Sequence, residues 1–339
     1  MNLVNNTQQI FVVGSSRSGT TMMGRILDNN PSVFTFRELH FFGTIWTNKK
    51  NRELEKNEQI TLLSKLLAIQ EDGLFNQNNL SKFHSKSEQL LTKEFKNSLD
   101  IYRLFLQTVA KEHGAKIACE QTPQNLYYLH EILEFFPDAK VINLVRDQRD
   151  VLLSQKNKWK RRFLGAKKIP LYEAIRSFVN YHPILTSKIW NSSLLCTSQY
   201  ANHSRVKIVK FEDLLSNSEG VVKGICKFLK IDFKDQMLQV PVIGSSTESD
   251  SKSELLIDSS KINKWKRGGL SNGEIYLSQK MSCQMMDEFQ YEKEVFSMPP
   301  LSVLYYLISF PLKLGFAFLF NIHRAGDIVE VIKKRFFKK

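Results

Sequence analysis

The stretch Ile10 to Met23, IFVVGSSRSGTTMM, joins an apolar run to a loop of small residues with one arginine, then to a periodic segment reaching Leu27. That order predicts a buried parallel strand, a turn and a helix. A helix N-terminus leaves its first N–H groups unpaired and carries a partial positive charge, so the loop is suited to a phosphate-like anion. Gly14 and Gly19 have the spacing of the nucleotide-binding P-loop, whose next residues are Lys and then Ser or Thr. Here Thr20 and Thr21 follow, and the cation lies inside the loop at Arg17. The missing lysine argues against triphosphate chemistry.

Three more stretches carry reactive side chains. Glu38, in RELHFF, follows a short strand expected at Val33 to Phe36 and so lies on the sheet edge where open α/β folds place ligands. Beside Phe41 and Phe42 its carboxylate is expected to be partly desolvated, which would raise its pKa and suit a general base. The plain alternative is a surface glutamate paired with Arg37, and for His40 a satisfied structural histidine. Lys140 to Gln155, KVINLVRDQRDVLLSQ, reads as strand, polar turn and helix; it sets Arg146 at the strand's carboxyl end and Ser154 two turns into the helix. Asp147, Arg149 and Asp150 then cap and balance the helix start. Lys264 to Gly269, KWKRGG, combines an aromatic, cations and permissive glycines; its plain reading is a charged linker.

The pattern SRSGTTMM resembles the loop that holds the 5′-phosphosulfate of 3′-phosphoadenylyl sulfate (PAPS) in sulfotransferases. RELHFF resembles the KExHFF-type segment of heparan sulfate 3-O-sulfotransferases, and tyrosylprotein sulfotransferases also place a catalytic Glu there. The resemblance implies that Arg17, Ser18, Gly19, Thr20 and Thr21 hold the 5′-phosphosulfate, with Arg17 also stabilising the leaving group. It implies that Arg146 and Ser154 hold the 3′-phosphate, that Trp265 stacks on the cofactor and that Arg267 touches the 3′-phosphate. Glu38 becomes the base, His40 its support, PAPS the donor, and no metal is required. Glu120-Gln121-Thr122-Pro123 departs from the EKTP of many glycan sulfotransferases, with a neutral amide where their lysine offsets charge on the transferred group. Another cation such as Arg17 could cover that role, or the chain is a weakened, nucleotide-binding relative; a P-loop nucleotide kinase is the remaining alternative.

The elements that must position these groups imply an α/β fold, a P-loop-type mostly parallel sheet flanked by helices, with a hydrophobic-basic C-terminal helical tail. In 339 residues the expected division is a sulfotransferase domain over 1–295, including a helical insertion at 47–113, and a separate segment at 296–339. The insertion reads as a solvated helical cover. Pro123 is placed to start a helix over Gln124 to Phe136, further elements are expected at Ala115 to Cys119, Val206 to Lys210, Glu219 to Lys230 and Asn272 to Tyr291, and Gly244 to Ser260 reads as a flexible loop. Phe211-Glu212-Asp213-Leu214-Leu215 resembles the family's YEDL segment and is taken as structural, while the basic run Lys156 to Lys168 is a lid, an acceptor groove or a solvated face.

A net charge of +14 implies anionic partners, and the absence of a basic arm with interleaved aromatics excludes nucleic acid from the expected ones. Four scattered cysteines read as reduced thiols, and MNLVNNTQQ lacks a basic segment before a hydrophobic core, so a cytoplasmic location is expected. Leu301 to Ile322 is apolar over about the length of a bilayer but is broken by Pro311 and Lys313. A spanning helix would put the basic tail outside, against the positive-inside tendency. An in-plane segment on the inner face of an anionic membrane is therefore expected, the other placements being a spanning helix and a helix pair packed on the domain or a partner. With that placement, the acceptor hydroxyl is expected on a glycan or glycolipid.

Overall fold

The computed structural model describes residues 7–48, 51–75, 79–92, 95, 97–164, 169–242, 251–255, 257–322 and 327–337. The chain opens with β1 (Gln8–Gly14), α1 (Thr20–Asp28) and β2 (Val33–Thr35), then α2 (Lys56–Asp72), α3 (His84–Leu90) and α4 (Ser98–Glu112). It continues through β3 (Ile117–Glu120), α5 (Leu129–Phe135), β4 (Lys140–Val145), α6 (Gln148–Lys156), α7 (Leu171–Val179) and α8 (Pro183–Ser198). After β5 (Val206–Lys210) come α9 (Phe211–Ser216), α10 (Ser218–Leu229) and a small hairpin of β6 (Pro241–Val242) and β7 (Ser251–Leu255). The last elements are α11 (Asn272–Glu288), α12 (Ser302–Asn321) and α13 (Ile328–Ile332).

The main sheet has the order β2-β3-β1-β4-β5 and every pair in it is parallel. β1 stands in the centre because it is apolar on both faces. Ile10 and Val12 enter one core with Met23, Ile26, Leu214 and Ile225, whereas Phe11 and Val13 enter the other with Phe36, Phe105 and Ile132. From β1 the chain turns to β2 and β3 on one side and later crosses to β4 on the other. The divergence opens a crevice at the carboxyl ends of the strands, where such sheets bind ligands.

Several expectations need correction. Within 47–113 the helices α2, α3 and α4 form as expected, but they are not a solvated cover: Leu63, Leu66, Ile101, Tyr102, Phe105 and Leu106 are fully buried in the core on one side of the sheet. Tyr102 stacks on Phe41 at 3.9 Å between centroids, and Phe105 tilts onto Phe36 at 5.3 Å, so α4 forms the floor under the Glu38 segment. The single helix expected at Gln124 to Phe136 is a tight 3-10 turn, Pro123–Tyr128, followed by α5. Thr122 and Asn125 both donate side-chain hydrogen bonds to Glu120, which draws the first turn back toward β3. The loop expected at Gly244 to Ser260 contains strand β7 and a helical turn at Ser259–Lys261; residues 244–250 and 256 lie outside the described residues, as do 165–168 of the basic run. Cys119, Cys196 and Cys226 are buried free thiols and Cys283 is exposed.

The segment after residue 295 packs back on the rest. α12 begins against α11, where a Cβ on Gly273 would sit 2.4 Å from Ser302 Oγ, and ends with Asn321 Nδ2 donating to Asn180 at 2.8 Å. Lys334 then pairs with Glu131 and lies over the Tyr128 ring, with Arg335 over Tyr127. Phe105→Ala should destabilise the chain by about 3–5 kcal/mol, the usual cost of truncating a fully buried aromatic; urea unfolding followed by circular dichroism measures it.

Candidate active site

The turn after β1 is shaped by close packing. Gly14 has φ 149° and a Cβ on it would lie 2.2 Å from the carbonyl oxygen of Leu144; Gly19 has φ 94° and its Cβ would lie 2.3 Å from the Phe211 ring. Neither position admits a side chain, so the loop lies flush against β4 and α9. Arg17 also takes a left-handed φ of 74°, which costs a non-glycine residue about 1–3 kcal/mol and aims its side chain across the crevice. There its Nε donates to Ser154 Oγ at 2.8 Å.

The second motif closes on the first. Arg146, at the end of β4, donates from Nη1 to the Arg17 carbonyl and from Nη2 to the Lys261 carbonyl, both at 3.2 Å. Its guanidinium rests 4.5 Å above the Phe211 ring and 3.7 Å from Asp150, and its Nε is buried with no hydrogen-bond partner among the described residues. Phe211 thus wedges against Gly19 and supports Arg146 at once. Its neighbour Glu212 accepts from the Asp147 N–H at 2.9 Å and from the Tyr291 hydroxyl at 3.2 Å, a structural part for this segment.

Glu38 and His40 face the same crevice from the other side. His40 Nε2 lies 3.3 Å from Glu38 Oε2, and among the described residues Glu38 makes no ion pair with Arg37. The segment is pinned from beneath, because Leu39 N–H donates to Glu120 Oε1 at 3.4 Å and His40 N–H to Thr122 Oγ1 at 3.3 Å. Burial pushes the fully enclosed Glu120 carboxyl up to about 7, against the opposing pull of these hydrogen bonds. For Glu38 the expected rise in pKa is overturned. Its surroundings do resist ionisation, but the His40 hydrogen bond and the charges of His40, Lys158 and Arg17 outweigh them and hold it below the usual carboxylate range. The side chain is still 42% exposed, since it looks into the cavity.

That cavity, about 1010 Å³, is lined by Gly14, Arg17, Gly19, Thr20, Thr21, Glu38, His40, Arg146 and Ser154. It also collects cations that motif reasoning missed. Lys158 is brought down to about 8 by burial and by Arg17, Arg176 and Arg161, and Arg17 to about 9 by burial and by Arg161 and Arg146. Lys158 opens the 3-10 turn Lys158–Phe163 just past the end of α6, so helical spacing from Ser154 could not place it. Lys261, Lys264, Lys334 and Arg335 complete the positive wall.

Four sequence-level assignments are displaced. Ser18 does not line the cavity; it is buried, and its N–H donates to the Ser15 carbonyl at 3.1 Å. Trp265 does not line it either, because it is buried with its ring 4.0 Å from the Arg149 guanidinium and its backbone N–H on Asp150 Oδ1 at 3.0 Å. Arg267 turns outward to the Ser260 carbonyl, leaving Lys261 and Lys264 as that loop's cations in the wall. Gln121 faces α1, where a Cβ on Gly24 would lie 2.8 Å from its amide oxygen, and contributes nothing to the cavity lining.

Comparison with known proteins agrees with this arrangement. The sequence pattern described as "Sulfotransferase family" matches residues 9–235. The chain is 26% identical over 234 residues to a protein-tyrosine sulfotransferase of Drosophila melanogaster, covering 68% of this chain and 39% of that one. It is 24% identical over 233 residues to protein-tyrosine sulfotransferase 1 of Danio rerio, covering 68% and 55%. It therefore spans about two fifths to just over half the length of these two relatives. In fold it is similar to the sulfotransferase domain from the Synechococcus PCC 7002 olefin synthase, with a TM-score of 0.51, 20% identity and coverage of 87% of this chain and 98% of that one. With the match running from β1 through the second motif and on to α10, the chain belongs to the sulfotransferase family.

Proposed function

We propose that this crevice moves a sulfuryl group from PAPS to the hydroxyl of a carbohydrate or glycolipid. The observation that carries the proposal is the convergence of Arg17, Arg146 and Lys158 on one wall of a cavity whose opposite side presents the ionised, accessible Glu38. The residues present fit a donor with two phosphate groups: a cradle that no Cβ could enter, a helix N-terminus, and a buried arginine Nε left without a partner among the described residues. Bound PAPS would supply the sulfuryl group and a good leaving group.

The chain's own residues do the rest by positioning and charge, as in phosphoryl transfer. Glu38 accepts the acceptor's hydroxyl proton as the new oxygen–sulfur bond forms and the bond to the 5′-phosphate breaks. His40, 3.3 Å away, keeps that carboxylate aimed into the cavity. Arg17, Thr20 and Thr21 hold the 5′-phosphate, and Arg146 with Ser154 holds the 3′-phosphate. Lys158, beside Arg17, supplies the cation that Gln121 does not. A second acceptor reading, a tyrosine phenol, is supported by the names of the relatives; parallel assays with glycan and tyrosine-peptide acceptors separate the two.

Calorimetric titration with adenosine 3′,5′-bisphosphate should show binding without magnesium, and preference for Mg-ATP would move a kinase to the front. Arg146→Ala should weaken the bisphosphate by about 2–3 kcal/mol, the loss of a charge-assisted contact. Glu38→Gln should keep bisphosphate affinity while lowering kcat roughly 10²–10⁴-fold; unchanged turnover would remove Glu38 as the base.

The pH dependence follows from the shifts. A depressed Glu38 is already ionised at neutral pH, so the acidic limb of kcat/KM should lie below the usual carboxylate range. A cation brought down to about 8 loses its charge as pH rises through that value, so the alkaline limb should begin near 8. Lys158→Gln should lower kcat/KM and abolish the limb near 8. A limb that stays near 8 in that variant would count against Lys158.

A further inference from the structure

α7 is folded inside out. Its polar residues Glu173, Arg176 and Ser177 line the cavity together with Asn180 just beyond its end, whereas Leu171, Tyr172, Ile175 and Phe178, 45–55% exposed, face outward. α12 lies against it and is apolar on both its inner and outer faces. Leu314, Ala317 and Phe318 line the cavity, and Leu304, Ile308, Leu312, Phe316 and Leu319 form an outer stripe at helical spacing, Ile308 and Leu312 being 68% and 69% exposed. Phe320 stacks on Tyr172 at 5.6 Å and Lys313 lies 4.7 Å over Phe178, so the two outer faces are continuous. An apolar surface of this extent on one side of a soluble domain marks a site of interaction.

We infer that this double face seats the protein in the plane of an anionic lipid bilayer, with the cavity opening at the lipid surface. The charge pattern selects lipid over a second copy of the chain. α12 carries Lys313 and no acidic residue, α7's one acid, Glu173, is buried in an ion pair with Arg176 at 2.8 Å, and the adjoining turn presents Lys160 beside the exposed Phe163. Pairing two such faces would bring cations together, whereas anionic headgroups complement them. The packing disfavours a spanning placement, since α12 is tied to the domain in its second turn and at its end: Tyr306 to Ser271 at 3.2 Å and Asn321 to Asn180 at 2.8 Å. Of the basic tail, Lys334 and Arg335 are turned away from the headgroups, against Glu131 and Tyr127. Leu314 and Phe318 are both half-exposed and part of the cavity wall, so they sit at its mouth. Resting on the sulfotransferase reading, this places the acceptor hydroxyl on a membrane lipid or lipid-linked sugar.

Flotation of the full chain with vesicles tests the face independently of the chemistry. Binding is expected to phosphatidylcholine vesicles containing about a third phosphatidylglycerol, falling in high salt. Leu304→Glu/Ile308→Glu/Leu312→Glu should lose binding at least roughly tenfold, since charge on the apolar face opposes insertion. Lys160→Gln/Lys313→Gln, which leaves the apolar stripe intact, should lose roughly 25-fold on anionic vesicles, about fivefold per cation near the surface. Bisphosphate titration of each variant checks that it is folded. No flotation of the wild-type chain, or a concentration-dependent dimer broken by the triple variant without vesicle binding, would overturn the inference. Flotation without bisphosphate binding would uphold the face and overturn the sulfotransferase reading; bisphosphate binding without flotation would do the reverse.

Discussion

Burial, joined by repulsion from Arg161 and Arg146, lowers the proton affinity of Arg17, and burial joined by repulsion from Arg17, Arg176 and Arg161 lowers that of Lys158. Such a cluster persists because packing over-determines it. The Gly14 and Gly19 contacts fix the loop's path, Phe211 supports Arg146 from below, and Ser154 and the Arg17 carbonyl tie the two motifs together. A multiply charged anion seated there would relieve the repulsion that the fold holds.

The opposite wall uses a different device. Glu38 and His40 are carried on a short irregular segment in which His40 takes a φ of 50°, a conformation that a flexible loop would not keep. Glu120 and Thr122, at the end of β3, hold its backbone, and the stacked Phe41 and Tyr102 hold its other side. The helices inserted after β2 therefore matter to the chemistry. Without α4 beneath it, the carboxylate would have no fixed position relative to Arg17. The same constraint explains why Glu38 is acidic while Glu120 is not. Glu120 is enclosed and desolvated, whereas Glu38 looks into a cavity walled by cations.

Some of this is legible along the chain because it rests on local order. The strand at Ile10, the turn with Gly14 and Gly19, the helix from Thr20, and the repeat of that plan at Lys140 to Gln155 follow from hydrophobic runs and small residues at fixed spacing. Those features settle a parallel α/β sheet and place Arg17, Glu38 and Arg146 at its carboxyl edge. What the sequence could not decide are quantities set by residues far apart. Desolvation beside Phe41 and Phe42 argues for a raised Glu38; the fold reverses the sign by turning His40 onto the carboxylate and bringing Lys158 and Arg17 from distant segments. Trp265 reads as a stacking residue until Arg149 is seen to cover its ring. The outward apolar face of α7 and the return of Lys334 to Glu131 depend on which side of each helix meets its neighbours, a matter of tertiary packing that periodicity alone leaves undetermined.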